Sequence, residues 1–180
     1  QEELPWLEGG AAEQTGEFFS LCVSPLRYQD KVRESFHRYK FQGHRGYHKA
    51  YGLLVAQCVH DHLAGRYDLI TWVPLSSKRK RERGYDQAFL LASAAALELG
   101  AVAVETRRKA RDNTPQSGLE GEAERRANVL GAYQPVDPEL VAGKRVLLID
   151  DVVTTGSTLS ECARTLRAMG AADVVCAALT

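Results

Sequence analysis

The stretch VLLIDDVVTTGST, residues 146–158, sets a branched apolar run against two adjacent carboxylates, Asp150 and Asp151. A turn of small and hydroxyl-bearing residues follows at once: Val153, Thr154, Thr155, Gly156, Ser157 and Thr158. An ionised carboxylate only accepts hydrogen bonds, so a ligand suited to the two acids offers hydroxyls. The turn leads into helical periodicity, and a helix start presents free N–H groups and a positive dipole end to an anion. Gly156 lets the backbone approach that anion without a Cβ. The acids would repel the same anion, so they address a different part of the ligand. Vicinal hydroxyls next to a phosphate describe a ribose 5-phosphate unit, with Asp150 and Asp151 at the ribose and residues 153–158 at the 5-phosphate. The plain alternative, a strand end followed by a helix cap, explains each piece but not their succession. Neither a G-x-x-x-x-G-K-[ST] nor a G-x-G-x-x-G pattern is present, so neither a P-loop nor a dinucleotide fingerprint is read here.

Elements must hold these groups in place. Residues 69–73, LITWV, read as a buried strand closed by Pro74. Residues 102–105, 145–149 and 174–179 read as three further strands. Between them, apolar spacing predicts helices over 30–41, 47–64, 86–99 and 157–169, with Gly65, Gly100 and Gly170 as stops. Thr158 and Glu161 have capping-box spacing. One short strand is expected around 18–23, in an otherwise aperiodic N-terminal stretch. Residues 106–128 are polar and carry Pro115, Gly118 and Gly121, which marks a long functional loop. Strands alternating with helices imply an α/β fold with a parallel sheet and right-handed crossovers. Ligands of such sheets bind beyond the carboxyl ends of the strands, where Asp150 and Asp151 fall.

Composition bounds the function classes. The chain has 180 residues, 44% hydrophobic and 26% charged, which suits one globular domain. Its 23 basic and 23 acidic side chains cancel, so the molecule is not a general polycation. The distribution is uneven: residues 1–20 hold five glutamates and no Lys or Arg, whereas residues 78–83 hold five basic residues in six. Any polyanion contact is therefore local. Cys22, Cys58, Cys162 and Cys176 are far apart and form no zinc spacing, and they read as buried reduced thiols of a cytoplasmic protein. His37, His44, His48, His60 and His62 fit no metal or triad spacing and read as surface residues. Trp6 and Trp72 read as packing residues. No apolar run suits membrane insertion.

Residues 146–158 resemble the phosphoribosyl pyrophosphate (PRPP) signature of type I phosphoribosyltransferases. VPLSSKRKRERGYDQAFLLA, residues 73–92, resembles the V-P-x-P…R-x-x-x-R-G-F-N-Q-A pattern of the ComF family. SPLRYQDKVRESFHRYKFQG, residues 24–43, and TRRKARDNTPQSGLEGEAERRANVLGAY, residues 106–133, resemble two further regions of that family. Together they cover nearly everything from Ser24 onward. The resemblance implies a single phosphoribosyltransferase domain over residues 1–180, with an N-terminal segment and hood over about 1–65 and a PRPP-binding core over about 66–180. It also implies transfer of the phosphoribosyl group to a nitrogen acceptor, with Mg²⁺ carried on the pyrophosphate. An alternative expectation is an accessory role in natural competence, handling single-stranded DNA beside a helicase and a DNA-processing protein. Two departures stand out. Asp86 replaces the family's Asn, and the family's four-cysteine zinc motif is absent from these residues, so no zinc is expected of them.

Further assignments rest on that resemblance. Ser76, Ser77, Lys78 and Arg79 follow a strand end where related transferases hold the pyrophosphate, and hydroxyls with a cation suit a diphosphate. A solvated basic turn is the alternative, and Lys80, Arg81 and Arg83 could instead meet nucleic-acid phosphates. No protein metal ligands are expected. Arg107, Arg108, Lys109, Arg111 and Gln116 are candidates for a loop that closes over PRPP and neutralises the leaving pyrophosphate. An ordinary solvated loop explains any one of them nearly as well.

Overall fold

Two runs of branched apolar residues form the centre of the molecule, β6 (Arg145–Asp150) and β7 (Asp173–Ala178), which pair in parallel with Leu147 opposite Val175 and Asp150 opposite Ala178. The computed structural model describes residues 12–26, 34, 47–75, 81–82, 86–109, 133–153 and 156–180. Around the central pair lie β3 (Leu69–Trp72), parallel to β6, and β2 (Leu21–Ser24), parallel to β7; β1 (Ala12–Gln14) runs antiparallel at the far edge. The strand order is β1-β2-β7-β6-β3.

Both sheet faces are covered, which is why the inner strands read as unbroken apolar runs rather than alternating ones. α1 (Tyr47–Leu63) and α2 (Gln87–Glu98) pack over Val23, Ile70, Leu147, Ile149, Val175 and Ala177. α3 (Ser157–Ala168) covers Cys22, Val146, Leu148, Val174 and Cys176 on the other face. Each such side chain, when fully buried, contributes about 1.5–3 kcal/mol over leaving it exposed. At the amino ends of the strands, the Arg145 guanidinium donates to both carboxylate oxygens of Asp68, and the Arg145 N–H also donates to Asp68, which seats β6 beside β3.

The two covering helices meet closely at Gly52, where an added Cβ would lie 2.4 Å from the Ala94 Cβ and 3.1 Å from its backbone. Gly52→Ala therefore forces the helices apart. It is expected to cost about 1–3 kcal/mol as overpacking, more than the roughly 1 kcal/mol of helix propensity that alanine supplies. Urea denaturation measures this, and the pair Gly52→Ala with Ala94→Gly should recover part of the loss. An unchanged midpoint for the single variant would mean the two helices are free to separate.

Four expectations are corrected or bounded here. Residues 102–105 form no strand: Ala103 makes one isolated parallel bridge to Ile70, the Val104 N–H donates to the Ile70 carbonyl at 2.9 Å, and Val102 is 78% exposed. The chain leaves the sheet there to start a hairpin, β4 (Arg107–Lys109) antiparallel to β5 (Tyr133–Pro135), whose first strand lies in the segment that reads as loop. The capping box does not form either, because the N-cap is Gly156, two residues before Thr158, and the Glu161 carboxylate is taken by Arg164. Of the segment expected as N-terminal segment and hood, about 1–65, the described residues include β2 and α1. β2 is apolar and lies inside the sheet, and α1 lies over it. The helix expected over 30–41 lies outside the described residues except Glu34, which is helical and exposed. The remaining helices agree with expectation to within two residues at either end, and α2 is capped by Asp86, whose Oδ1 accepts from the Phe89 N–H at 3.1 Å. An asparagine offers the same Oδ1, so capping is indifferent to the departure at this position.

Candidate functional site

β6 delivers Asp150 to the carboxyl end of the sheet as its last residue, buried at 7% exposure, and Asp151 follows half-buried. Each carboxylate ties itself to the next peptide. Asp150 Oδ1 accepts from the Asp151 N–H and Asp151 Oδ1 from the Val152 N–H, both at 2.8 Å. Residues 179–180 hold the loop from behind: the Val153 N–H donates to the Thr180 carbonyl at 2.9 Å and the Leu179 N–H to the Asp151 carbonyl at 3.1 Å. The start of the loop is thus pinned before it turns.

The turn itself ends in Gly156, which sits in the left-handed region at φ 79° as the N-cap of α3, with no side-chain cap hydrogen bond. A helix N-terminus presents backbone N–H groups and the positive end of its dipole, which suit an anion. Thr154 and Thr155 lie outside the described residues. Ser157 and Thr158 open α3 and are partly buried. The acids and this N-terminus are therefore neighbours in chain and fold, as a ligand with hydroxyls at one end and a phosphate at the other requires.

Two more segments start and end at the same sheet edge. The Val73 N–H donates to the Ile149 carbonyl at 2.9 Å, and Val73 and Pro74 are buried, so the chain leaves β3 beside the end of β6. Ser76, Ser77, Lys78, Arg79, Lys80 and Arg83 lie outside the described residues. Arg81 is exposed. The hairpin forms the other border. Its base is bolted to β3 by a buried hydrogen bond between the Thr71 and Thr106 hydroxyls at 2.8 Å, and by Arg107 Nη2 donating to the Trp72 carbonyl at 2.9 Å. Tyr133 at the start of β5 packs on α3 against Cys162. Arg108 and Lys109 lie on β4, whereas Arg111 and Gln116 lie outside the described residues. The segment that carries them begins and ends on this hairpin.

Arg107 is not the solvated loop residue that its surroundings in the sequence suggest. It is the first residue of β4 and 1% exposed. Burial lowers the stability of its charged form, and burial equally pushes the Tyr133 hydroxyl and the Cys162 thiol upward, the latter to about 12. All four cysteines are buried, as expected, and none is in a disulfide; Cys22 and Cys176 sit opposite one another on neighbouring strands, and burial raises Cys176 well above the usual thiol range. Such thiols are inert packing groups. Sequence reasoning did not find the buried role of Arg107 or the place of Tyr133, since a run such as Thr106-Arg107-Arg108-Lys109 carries no apolar alternation. His60 is exposed on α1 and Trp72 packs against Phe89 at 5.0 Å between ring centroids, in keeping with surface and packing roles. Among the described residues no helix is long and apolar enough to cross a membrane.

A parallel sheet with this carboxyl-end constellation defines the type I phosphoribosyltransferase fold, and the phosphoribosyl transferase domain model matches residues 86–180: the chain belongs to that family. Its relatives include proteins of the ComF type. It is 33% identical over 143 residues to Competence protein F of Haemophilus influenzae, covering 76% of this chain and 62% of that protein. It is 39% identical over 108 residues to DNA utilization protein YhgH of Salmonella typhi, covering 59% of this chain and 46% of that protein. The chain thus spans about half to three-fifths of the length of these relatives. Among solved structures, the glutamine PRPP amidotransferase from B. subtilis complexed with ADP and GMP aligns with a TM-score of 0.52 at 24% identity, over 76% of this chain and 26% of that one. At that identity the likeness concerns the fold.

Proposed function

We propose that the chain binds PRPP with Mg²⁺, or a ribose 5-phosphate product, and transfers the phosphoribosyl group to a nitrogen acceptor. One observation carries the reading: two pinned carboxylates at the end of β6 lead directly to the N-terminus of α3 at Gly156, which holds a left-handed φ of 79°. Asp150 and Asp151 accept from the ribose hydroxyls. The backbone and hydroxyls of residues 153–158 take the 5-phosphate. Ser76, Ser77, Lys78 and Arg79, on the segment leaving β3, take the pyrophosphate. Mg²⁺ keeps several waters and is held largely through substrate phosphates, so a donor set of two carboxylates committed to hydroxyls fits a cation carried in on the pyrophosphate, where it would offset the leaving group's charge.

In the reaction the bond from the anomeric carbon to the pyrophosphate oxygen breaks with its electron pair leaving on the pyrophosphate. A nitrogen lone pair forms the new bond, and the nitrogen then sheds a proton. Positioning and charge stabilisation supply most of what such a displacement needs, so no side-chain nucleophile is required. Arg108, Lys109, Arg111 and Gln116, on or beyond the hairpin at the site's border, would exclude water and offset developing charge. The test is incubation with PRPP, Mg²⁺ and a panel of amines and nucleobases while pyrophosphate is assayed. Acceptor-dependent release is the expected result, and PRPP binding without release for any acceptor would count against transfer.

A second reading is favoured by the names of the relatives, Competence protein F and DNA utilization protein. Here the domain serves DNA uptake through its ligand, single-stranded DNA or partner proteins such as a helicase and a DNA-processing protein, with Lys80, Arg81 and Arg83 on DNA phosphates. Zero net charge limits the affinity this domain can have for DNA by itself, because that term grows with the phosphates neutralised. Replacing Lys78, Arg79, Lys80 and Arg81 by Ala should lower the salt slope of any single-strand binding by up to ~1 for each phosphate that is no longer neutralised.

A further inference from the structure

We infer that Thr180 belongs to the site, and that its buried hydroxyl donates to the ligand's 5-phosphate beside the run 153–158. The inference rests on the reading of that run as the phosphate end of the site. Thr180 stands two residues beyond β7, at the carboxyl end of the sheet, and is 7% exposed. Its main chain is engaged by the loop that carries the acids. The Thr180 N–H donates to the Asp151 carbonyl at 3.3 Å, and the Thr180 carbonyl accepts from the Val153 N–H at 2.9 Å. The Leu179 N–H donates to the same Asp151 carbonyl at 3.1 Å. The Leu179 carbonyl accepts from the Leu26 N–H at 3.2 Å, which fixes the segment from the β2 side as well. Thr180 is therefore bracketed by Asp151, one of the two ribose acids, and by Val153, the first residue of the phosphate run.

The hydroxyl is the part of this residue left over. Thr180 Oγ1 is buried and, among the described residues, has no hydrogen-bond partner. A buried hydroxyl without a partner costs stability, and a valine of the same shape would avoid that cost. A threonine at this position is explained if the ligand supplies the missing acceptor. The hydroxyl has one proton to donate, and the acceptor that the ligand brings beside Val153 is a phosphate oxygen. The phosphate is then held from two directions, by N–H groups at the start of α3 and by a hydroxyl at the end of the sheet. Thr180 lies far along the chain from the run 146–158, so no local pattern marks it as part of the same site.

Two measurements on Thr180→Val, Thr180→Ser and the wild type test this. In thermal unfolding of the unliganded protein, Thr180→Val should melt at or above the wild-type midpoint, because exchanging an unpaired buried hydroxyl for a methyl is neutral or stabilising. In titration with ribose 5-phosphate, Thr180→Val should bind about tenfold or more weakly, the size of a hydrogen bond to a charged acceptor. Thr180→Ser keeps the hydroxyl and should bind close to wild type. Unphosphorylated ribose should lose far less than ribose 5-phosphate in Thr180→Val. Stability kept or gained with affinity lost is the signature of a group held for a ligand, whereas a structural hydroxyl would show the reverse. A Thr180→Val midpoint below wild type, unchanged affinity for ribose 5-phosphate, or an equal loss for ribose would overturn the inference. A wild type that binds no ribose 5-phosphate would remove the ligand reading and Thr180's role with it. Binding by the wild type that Thr180→Val leaves unchanged would remove only the role of Thr180.

Discussion

Asp150→Asn combined with Asp151→Asn is expected to weaken PRPP binding by about a hundredfold or more in calorimetry. A hydrogen bond to a charged acceptor contributes roughly 1.5–3 kcal/mol, so losing the charge of both acceptors removes most of what holds the ribose. Asparagine keeps an Oδ1 for the following peptide, so the short bonds to the Asp151 and Val152 N–H groups survive. The two positions then separate in stability. Asp151 is half-buried, so water screens its charge, and Asp151→Asn alone should leave the thermal midpoint near wild type. Asp150 is buried at 7% exposure, so its charge is less screened, and Asp150→Asn alone should shift the midpoint more than Asp151→Asn. Affinity unchanged in the double variant would remove the ribose role from both acids.

Gly156→Val is expected to damage the phosphate end of the same site. An L-residue held at φ 79° costs about 1–2 kcal/mol, and a β-branched one more. Relief of that strain would turn the peptide and spoil the aim of the N–H groups at the start of α3. Each N–H that no longer reaches the phosphate should weaken ribose 5-phosphate binding by about tenfold or more. Unphosphorylated ribose should be affected far less, so the preference for the phosphorylated sugar shrinks. Gly156→Asn, which tolerates the left-handed region, should lie between the two. Equal binding of ribose 5-phosphate by Gly156→Val and wild type would place the phosphate elsewhere.

Much of the centre of the fold was legible from local pattern. Residues 145–149 and 174–179 read as strands because both sheet faces are covered and nearly every position along them is apolar. α2 and α3 read as helices because small and long-chain residues recur at helical spacing and glycines stop them. The run 146–158 was legible as a candidate site, for which ribose 5-phosphate is proposed above, because its acids, glycine and hydroxyls are contiguous along a strand end and a helix start. The strand expected over 102–105 shows the limit of the same method. Val102 and Val104 alternate correctly, yet one bridge to Ile70 is all that forms, because the Thr71–Thr106 and Arg107–Trp72 bonds draw the chain into a hairpin instead.

By itself, then, the order of residues determined the strands of the sheet's centre, its helical layers and the chemistry of one contiguous loop, since each depends on neighbours within a turn or a strand's length. Tertiary structure alone decided that β2 joins the sheet beside β7, that α1 packs within van der Waals reach of α2 at Gly52, and that Arg107 is a buried cation rather than a loop residue. The physical reason is common to the three. Each is settled by a partner far away in sequence: Val175 to Ala177 for β2, Ala94 for Gly52, and Trp72, Tyr133 and Cys162 for Arg107. A charged side chain gives no local sign of whether water or a distant backbone carbonyl will meet it.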